Sequence, residues 1–166
     1  MKTTNYLAGL AAITMTFTGV AAPISAYADD SSSVSSTEYA LYGDFVYMTA
    51  ANKTAEIIGY NGTDENVVIP SEIYGLTVTA LTGWAGKPTS FHPIGAKKGP
   101  FENNKYIKSV VIPDTVKYID DGSFYGCTAL ESVTFGNGVE EIGDYAFENC
   151  ASLSKVYIPV SVKKIV

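Results

Sequence analysis

From Tyr39 onward, apolar and polar residues alternate in short runs, each closed by Gly, Asn, Asp or Pro. Alternation with a period of two is what a half-buried strand requires, and such runs are too short for amphipathic helices. The pattern predicts two strands, Tyr42–Thr49 (YGDFVYMT) and Ala55–Tyr60 (AEIIGY), joined at the polar turn of Ala51 to Thr54. Asn61-Gly62 then closes an amino-terminal hairpin, expected to cap residues 39–62.

Beyond the hairpin the pattern repeats. An offset of 23 residues superimposes Ile107 on Leu130 and Leu153, Val110 on Val133 and Val156, and Ile112 on Phe135 and Ile158. The same offset aligns Val116 with Val139 and Val162, Ile119 with Ile142 and Ile165, Phe124 with Phe147, and Cys127 with Cys150. An earlier, interrupted unit fits the same scheme through Val67, Ile69, Pro70, Leu81 and Phe101, with Asn104 in the Cys slot. A unit of this length cannot bury its apolar edge alone, so neighbouring units must stack to share a core. Within one unit, Leu130–Phe135 supplies a short strand, Gly136-Asn137-Gly138 turns it, and Val139 with Ile142 returns to the core. Asp144–Cys150 is expected to form one helical turn, with Phe147 and Cys150 facing inward and Asp144, like Asp121, capping it.

The run Ile112–Phe135, IPDTVKYIDDGSFYGCTALESVTF, resembles the BspA-like leucine-rich repeat of bacterial secreted and surface proteins. Val67–Val78 resembles that family's usual first repeat. The resemblance implies a β-rich α/β repeat solenoid: a leucine-rich-repeat superhelix with a parallel strand ladder and short helical turns. It also implies a protein exported to the cell surface and associated with adhesion, with no shared catalytic residue. Two departures stand out: a 15-residue excess between Leu81 and Phe101, and an arrest inside a repeat at Val166. The expected divisions are repeats over 63–106, with an inserted loop at 82–100, then 107–129, 130–152 and an incomplete 153–166.

The amino terminus reads as an address. Lys2, the apolar run Leu7–Ala22, Pro23 and the small-x-small Ala26-Tyr27-Ala28 fit a cleaved signal peptide over residues 1–28. The Ser-rich stretch 29–38 is too poor in large apolar groups to offset its ordering entropy and is expected to be a disordered spacer. No membrane span is expected after cleavage. The chain is therefore expected to be secreted, extracellular or at the cell surface.

Composition narrows the chemistry. The 166 residues carry 11 basic side chains, all Lys, against 17 acidic ones, a net charge of −6. An acidic chain without Arg lacks the cationic footprint that nucleic-acid binding needs. A single His and two Cys cannot build a zinc site alone, and no cofactor or metal is expected. His92 sits in the inserted loop with no nucleophile fixed by a motif, so a free-standing hydrolase has little behind it. Asp120, Asp121 and Asp144 offer too few oxygens for calcium, and capping accounts for them better. Cys127 and Cys150 leave two readings open: a disulfide, which export permits, or stacked buried thiols, which Asn104 in the equivalent slot favours. Lys117, Glu140 and Lys163 form one column of alternating sign on a solvated face.

Two regions could bind a partner. One is the outward column of the strand ladder, Val68, Val111, Thr134 and Tyr157, opposite the inward valines. The other is the inserted loop, where Trp84 and Phe91 are aromatic residues of the anchor type, or else tuck back as a plug. The leading expectation is a non-enzymatic module that binds a host or bacterial surface protein. The alternative is an accessory or spacer repeat region of a longer protein bearing a catalytic or anchoring domain beyond residue 166. The apolar last unit is expected to meet further repeats of the same chain or to self-associate through its carboxyl-terminal coil.

Overall fold

The computed structural model describes residues 39–83 and 99–166. The signal segment, the spacer and most of the inserted loop, with Trp84, Phe91 and His92, lie outside the described residues. Among the described residues eleven short strands follow one another: β1 (Tyr39–Tyr42), β2 (Phe45–Thr49), β3 (Ala55–Tyr60), β4 (Asn66–Val68), β5 (Glu72–Ile73) and β6 (Leu76–Leu81), then β7 (Ser109–Val111), β8 (Tyr118–Ile119), β9 (Ser132–Thr134), β10 (Glu141–Ile142) and β11 (Lys164–Ile165). The expected first strand is broken after Tyr42, where Gly43 at φ +58° turns the chain and creates the β1–β2 hairpin. β2 and β3 pair antiparallel, and from β3 onward the sheet grows by parallel addition, in the order β3-β6-β8-β10-β11. A second sheet, β4-β7-β9, is parallel throughout.

From the second unit onward the 23-residue offset is the register of both sheets, and the interrupted first unit joins it through longer steps. Val67 lies beside Val110 and Val110 beside Val133 in one; Leu81, Ile119, Ile142 and Ile165 follow one another in the other. Parallel pairing of equivalent positions is what a repeat produces, because each unit presents the same apolar edge to the next. Between the sheets Phe101, Phe124 and Phe147 stack face to face, with centroids 4.8 and 5.2 Å apart and planes within 5°. Such pairs add about 0.5–1.5 kcal/mol each beyond the area they bury. Tyr60 and Phe45 extend this aromatic column to the hairpin at 5.4 and 5.1 Å, joining cap and repeats in one core.

The expected helical turn does not form, and no helix occurs among the described residues. The amides of Gly122, Phe124 and Gly126 donate to the carbonyls of Asp144, Ala146 and Glu148 in the next unit, each at 2.8 Å. The amides between them, of Ser123, Tyr125 and Cys127, donate back three residues. A helix would need every amide for its own ladder; here every second one is spent on the neighbour. The backbone accordingly enters the left-handed region twice in each of the two middle units, at Gly122 (+62°) and Gly126 (+68°) and at Tyr145 (+56°) and Asn149 (+60°), and once in the unit before them, at Asn103 (+59°). Gly and Asn tolerate that region best.

The aspartates cap differently from expectation. Asp121 Oδ1 accepts from the amide of Asp144, and Asp114 Oδ1 from that of Asn137, each one repeat further on. They fasten unit to unit instead of capping their own turn. The strands form two separate sheets.

The last unit departs from the pattern. Val156 lies in no strand and is half-buried, and Ile158 is 45% exposed where Ile112 is 1%. Core burial in the inner units comes from neighbours on both sides, and among the described residues this unit meets one on a single side. It is fastened through β11 only, where Glu141 pairs with Lys164 and Ile142 with Ile165.

Candidate binding face

β4, β7 and β9 are three residues long, so each turns one side chain inward and two outward. The inward members are Val67, Val110 and Val133, buried at 4, 1 and 9% exposure. The outward members form two parallel columns. In one, Val68, Val111 and Thr134 lie side by side in register, all exposed. In the other stand Asn66, Ser109 and Ser132, with Ser109 Oγ donating to Asn66 Oδ1 at 2.7 Å. The result is a narrow face with an apolar stripe beside a hydrogen-bonding one. Its rim carries the Lys108–Glu65 ion pair at 2.9 Å, whose carboxylate raises the Lys108 ammonium above its usual value.

Three sequence-predicted residues can thus be placed: Val111 (40% exposed) and Thr134 lie together on the ladder, and Tyr157, at 84%, projects from a stretch of the last unit that forms no strand. Trp84 and Phe91 lie outside the described residues. The alternation rule missed an aromatic pair at the other end of the chain. Tyr42 and Tyr74 meet edge to face at 5.5 Å, and Tyr74 remains 60% exposed. Tyr74 sits at φ +48° in the two-residue turn Tyr74-Gly75 of the β5–β6 hairpin. A bulky residue there is uncommon, and the Tyr-Gly dipeptide between apolar runs was the available signal.

Cys127 and Cys150 are free, buried thiols whose Sγ–H groups donate to the carbonyls of Phe101 (3.0 Å) and Phe124 (3.2 Å). Burial above all, and then Cys150, pushes the Cys127 thiol up to about 12, far from a reactive thiolate at neutral pH. Tyr60, whose hydroxyl donates to Asp64 Oδ2 at 3.4 Å, is likewise raised to about 12, by burial first and then by Asp64 and Asp44. Among the described residues no three His, Cys, Asp or Glu side chains gather where a metal could sit, and no helix is long and apolar enough to cross a membrane.

A parallel ladder of strands one repeat apart, a continuous Phe stack and alternating exposed columns define a leucine-rich-repeat protein. Residues 96–166 match the family model of the BspA type leucine rich repeat region (6 copies). No curated protein matches the chain. Among solved structures, a leucine-rich repeat protein of T. pallidum is 27% identical, with a TM-score of 0.64 over 76% of this chain and 52% of that one. A leucine-rich cell surface protein of Faecalibacterium prausnitzii is 29% identical, with a TM-score of 0.54 over 83% of this chain and 34% of that one. A leucine-rich repeat protein from Bacteroides capillosus, 23% identical with a TM-score of 0.62 over 77% and 87%, shares the fold. The chain thus spans about half the length of the T. pallidum protein.

Proposed function

We propose that this is an exported, non-enzymatic leucine-rich-repeat module that binds a protein at the cell surface through the outward face of β4, β7 and β9. The observation that carries the reading is the exposed stripe of Val68, Val111 and Thr134, with Val68 66% exposed. Apolar side chains on a rigid ladder, beside a row of hydrogen-bonding ones, suit an apolar patch with a polar margin on a partner. The signal segment and the likeness to a cell surface protein support export, and the units are proposed to wind as a solenoid. In this reading Trp84 and Phe91 of the inserted loop are further candidate anchors.

The test is surface interferometry of the chain from Asp29 onward against a panel of purified host-matrix and bacterial-surface proteins. A saturable ligand is expected, with affinity weakened at least tenfold by Val111→Asp together with Thr134→Lys. If no protein saturates, or the double variant binds as the parent does, the reading fails. The span of about half the T. pallidum protein favours one further reading, in which these repeats present or space another domain. Finding a catalytic or anchoring domain on the same native polypeptide would support it.

A further inference from the structure

We propose that Tyr42 and Tyr74 form an aromatic corner that takes the cationic head of a Lys or Arg side chain from a partner protein. The corner lies on β1 and on the turn between β5 and β6, apart from β4, β7 and β9, so the inference does not rest on the proposed binding face.

Three observations lead to it. First, the geometry suits a cation. The two rings meet at 89° with their centroids 5.5 Å apart. Rings set at right angles turn two faces toward one corner, and each face carries the negative side of the ring quadrupole. Both rings remain open to solvent, Tyr42 at 37% and Tyr74 at 60% exposure. The glycines that follow them, Gly43 and Gly75, have nothing within 4 Å of where a Cβ would stand, so the backbone beside each ring is unobstructed. Tyr47 lies buried close by, its hydroxyl raised by burial first and then by Tyr74, which brings a third tyrosine within electrostatic reach of the pair.

Second, the backbone works against a tyrosine at position 74. Ile73 pairs with Leu76, so Tyr74 and Gly75 make up the whole turn, at φ +48° and +81°. A two-residue turn with both φ angles positive is filled most easily by Asn-Gly, Asp-Gly or Gly-Gly, and a bulky ring at its first position is an outlier. A side chain as exposed as Tyr74 recovers little of that strain through burial. Strained positions of this kind concentrate where a ligand is held.

Third, the surrounding charge selects the ligand. Over residues 39–83, Asp44, Glu56, Asp64, Glu65 and Glu72 stand against Lys53 alone. Asp44 follows Tyr42 by two residues and Glu72 precedes Tyr74 by two. An apolar or acidic ligand gains nothing from this field, whereas a cation gains from the field and from the rings together. Two rings are half a cage and hold a lone ammonium weakly. A polypeptide segment with several Lys or Arg engages the corner and the carboxylates at once, which is the reason for assigning the corner to a protein partner.

The test is a labelled peptide of four Lys alternating with Gly, titrated into the chain and read by anisotropy beside the same peptide with Gln at the four positions. The Lys peptide is expected to bind at least tenfold more tightly. Tyr74→Phe should stay within twofold of the parent, while Tyr42→Leu and Tyr74→Leu each weaken the Lys peptide at least fivefold with no change in net charge. Equal binding of the two peptides, or binding of neither, overturns the proposal. So does undiminished binding of the Lys peptide by either Leu variant that keeps the parent's circular dichroism and melting temperature, because attraction to the acidic surface then needs no rings. Should Tyr74→Leu fail to fold, Tyr42→Leu decides the matter. Displacement of the Lys peptide by tetramethylammonium ion at or below the peptide's own concentration would give the corner to a small quaternary ammonium, and the assignment to a protein side chain fails.

Discussion

At the residue scale, the core rests on side chains held between equivalents of themselves. Phe124 is fully buried, stacked between Phe101 and Phe147, so Phe124→Ala removes two ring contacts and opens a cavity that two rigid sheets cannot close. A loss of about 3–5 kcal/mol is expected in denaturant unfolding. Tyr157→Ala, on a side chain 84% exposed, should stay within about 0.5 kcal/mol. Cys127 adds a pH dependence with a definite sign. Its thiol rises from the usual 9.0 to about 12 on folding, so the fold favours the neutral form. That contribution is full below pH 9.0 and is lost as the pH climbs toward about 12. Unfolding measured from pH 8 to 11 should show the parent losing stability faster than Cys127→Ala. Two thiols should titrate after denaturation without reductant and almost none before; a bridged pair would show none in either state.

At the element scale, the turns between strands make the tightest contacts. A Cβ at Gly138 would lie 1.7 Å from the carbonyl oxygen of Asp114 in the preceding unit, and one at Gly136 would lie 2.4 Å from the amide of Asp114. Gly138→Ala must therefore push two units apart. It should lower stability by about 1–3 kcal/mol, seen as a shifted urea midpoint with an unchanged slope. The Gly136-Asn137-Gly138 turn was legible in the sequence; that the glycines are there to admit a neighbouring backbone was not. The same limit explains the helix that failed to form. Phe147 and Cys150 have helical spacing, but spacing cannot report that alternate amides are claimed by the next unit.

At the scale of the molecule, stability should fall toward the last unit. Hydrogen exchange is expected to be slowest at the amides of Ile112 and Phe124, which bond to the next unit inside the stack. It should be fastest over Lys155–Ile158, where no strand pairs. Protection of Lys155–Ile158 equal to that of Ile112 would show the last unit to be as firmly fastened as the others.

The period of 23 determined by itself which residues of the later units share a column, hence the parallel ladder, the inward Val110 and Val133 and the outward Val111 and Thr134; Val67 and Val68 joined them through the pattern of the interrupted first unit. A repeat that must stack on itself leaves little freedom in register, and for that reason composition and spacing sufficed. Tertiary structure alone decided how the turns spend their amides and that Asp114 and Asp121 fasten the following unit. It also decided that Tyr74 meets Tyr42, and that Val156 and Ile158 leave the core they were patterned to join. Each depends on what the neighbouring unit offers in space: a carbonyl, an amide or a ring.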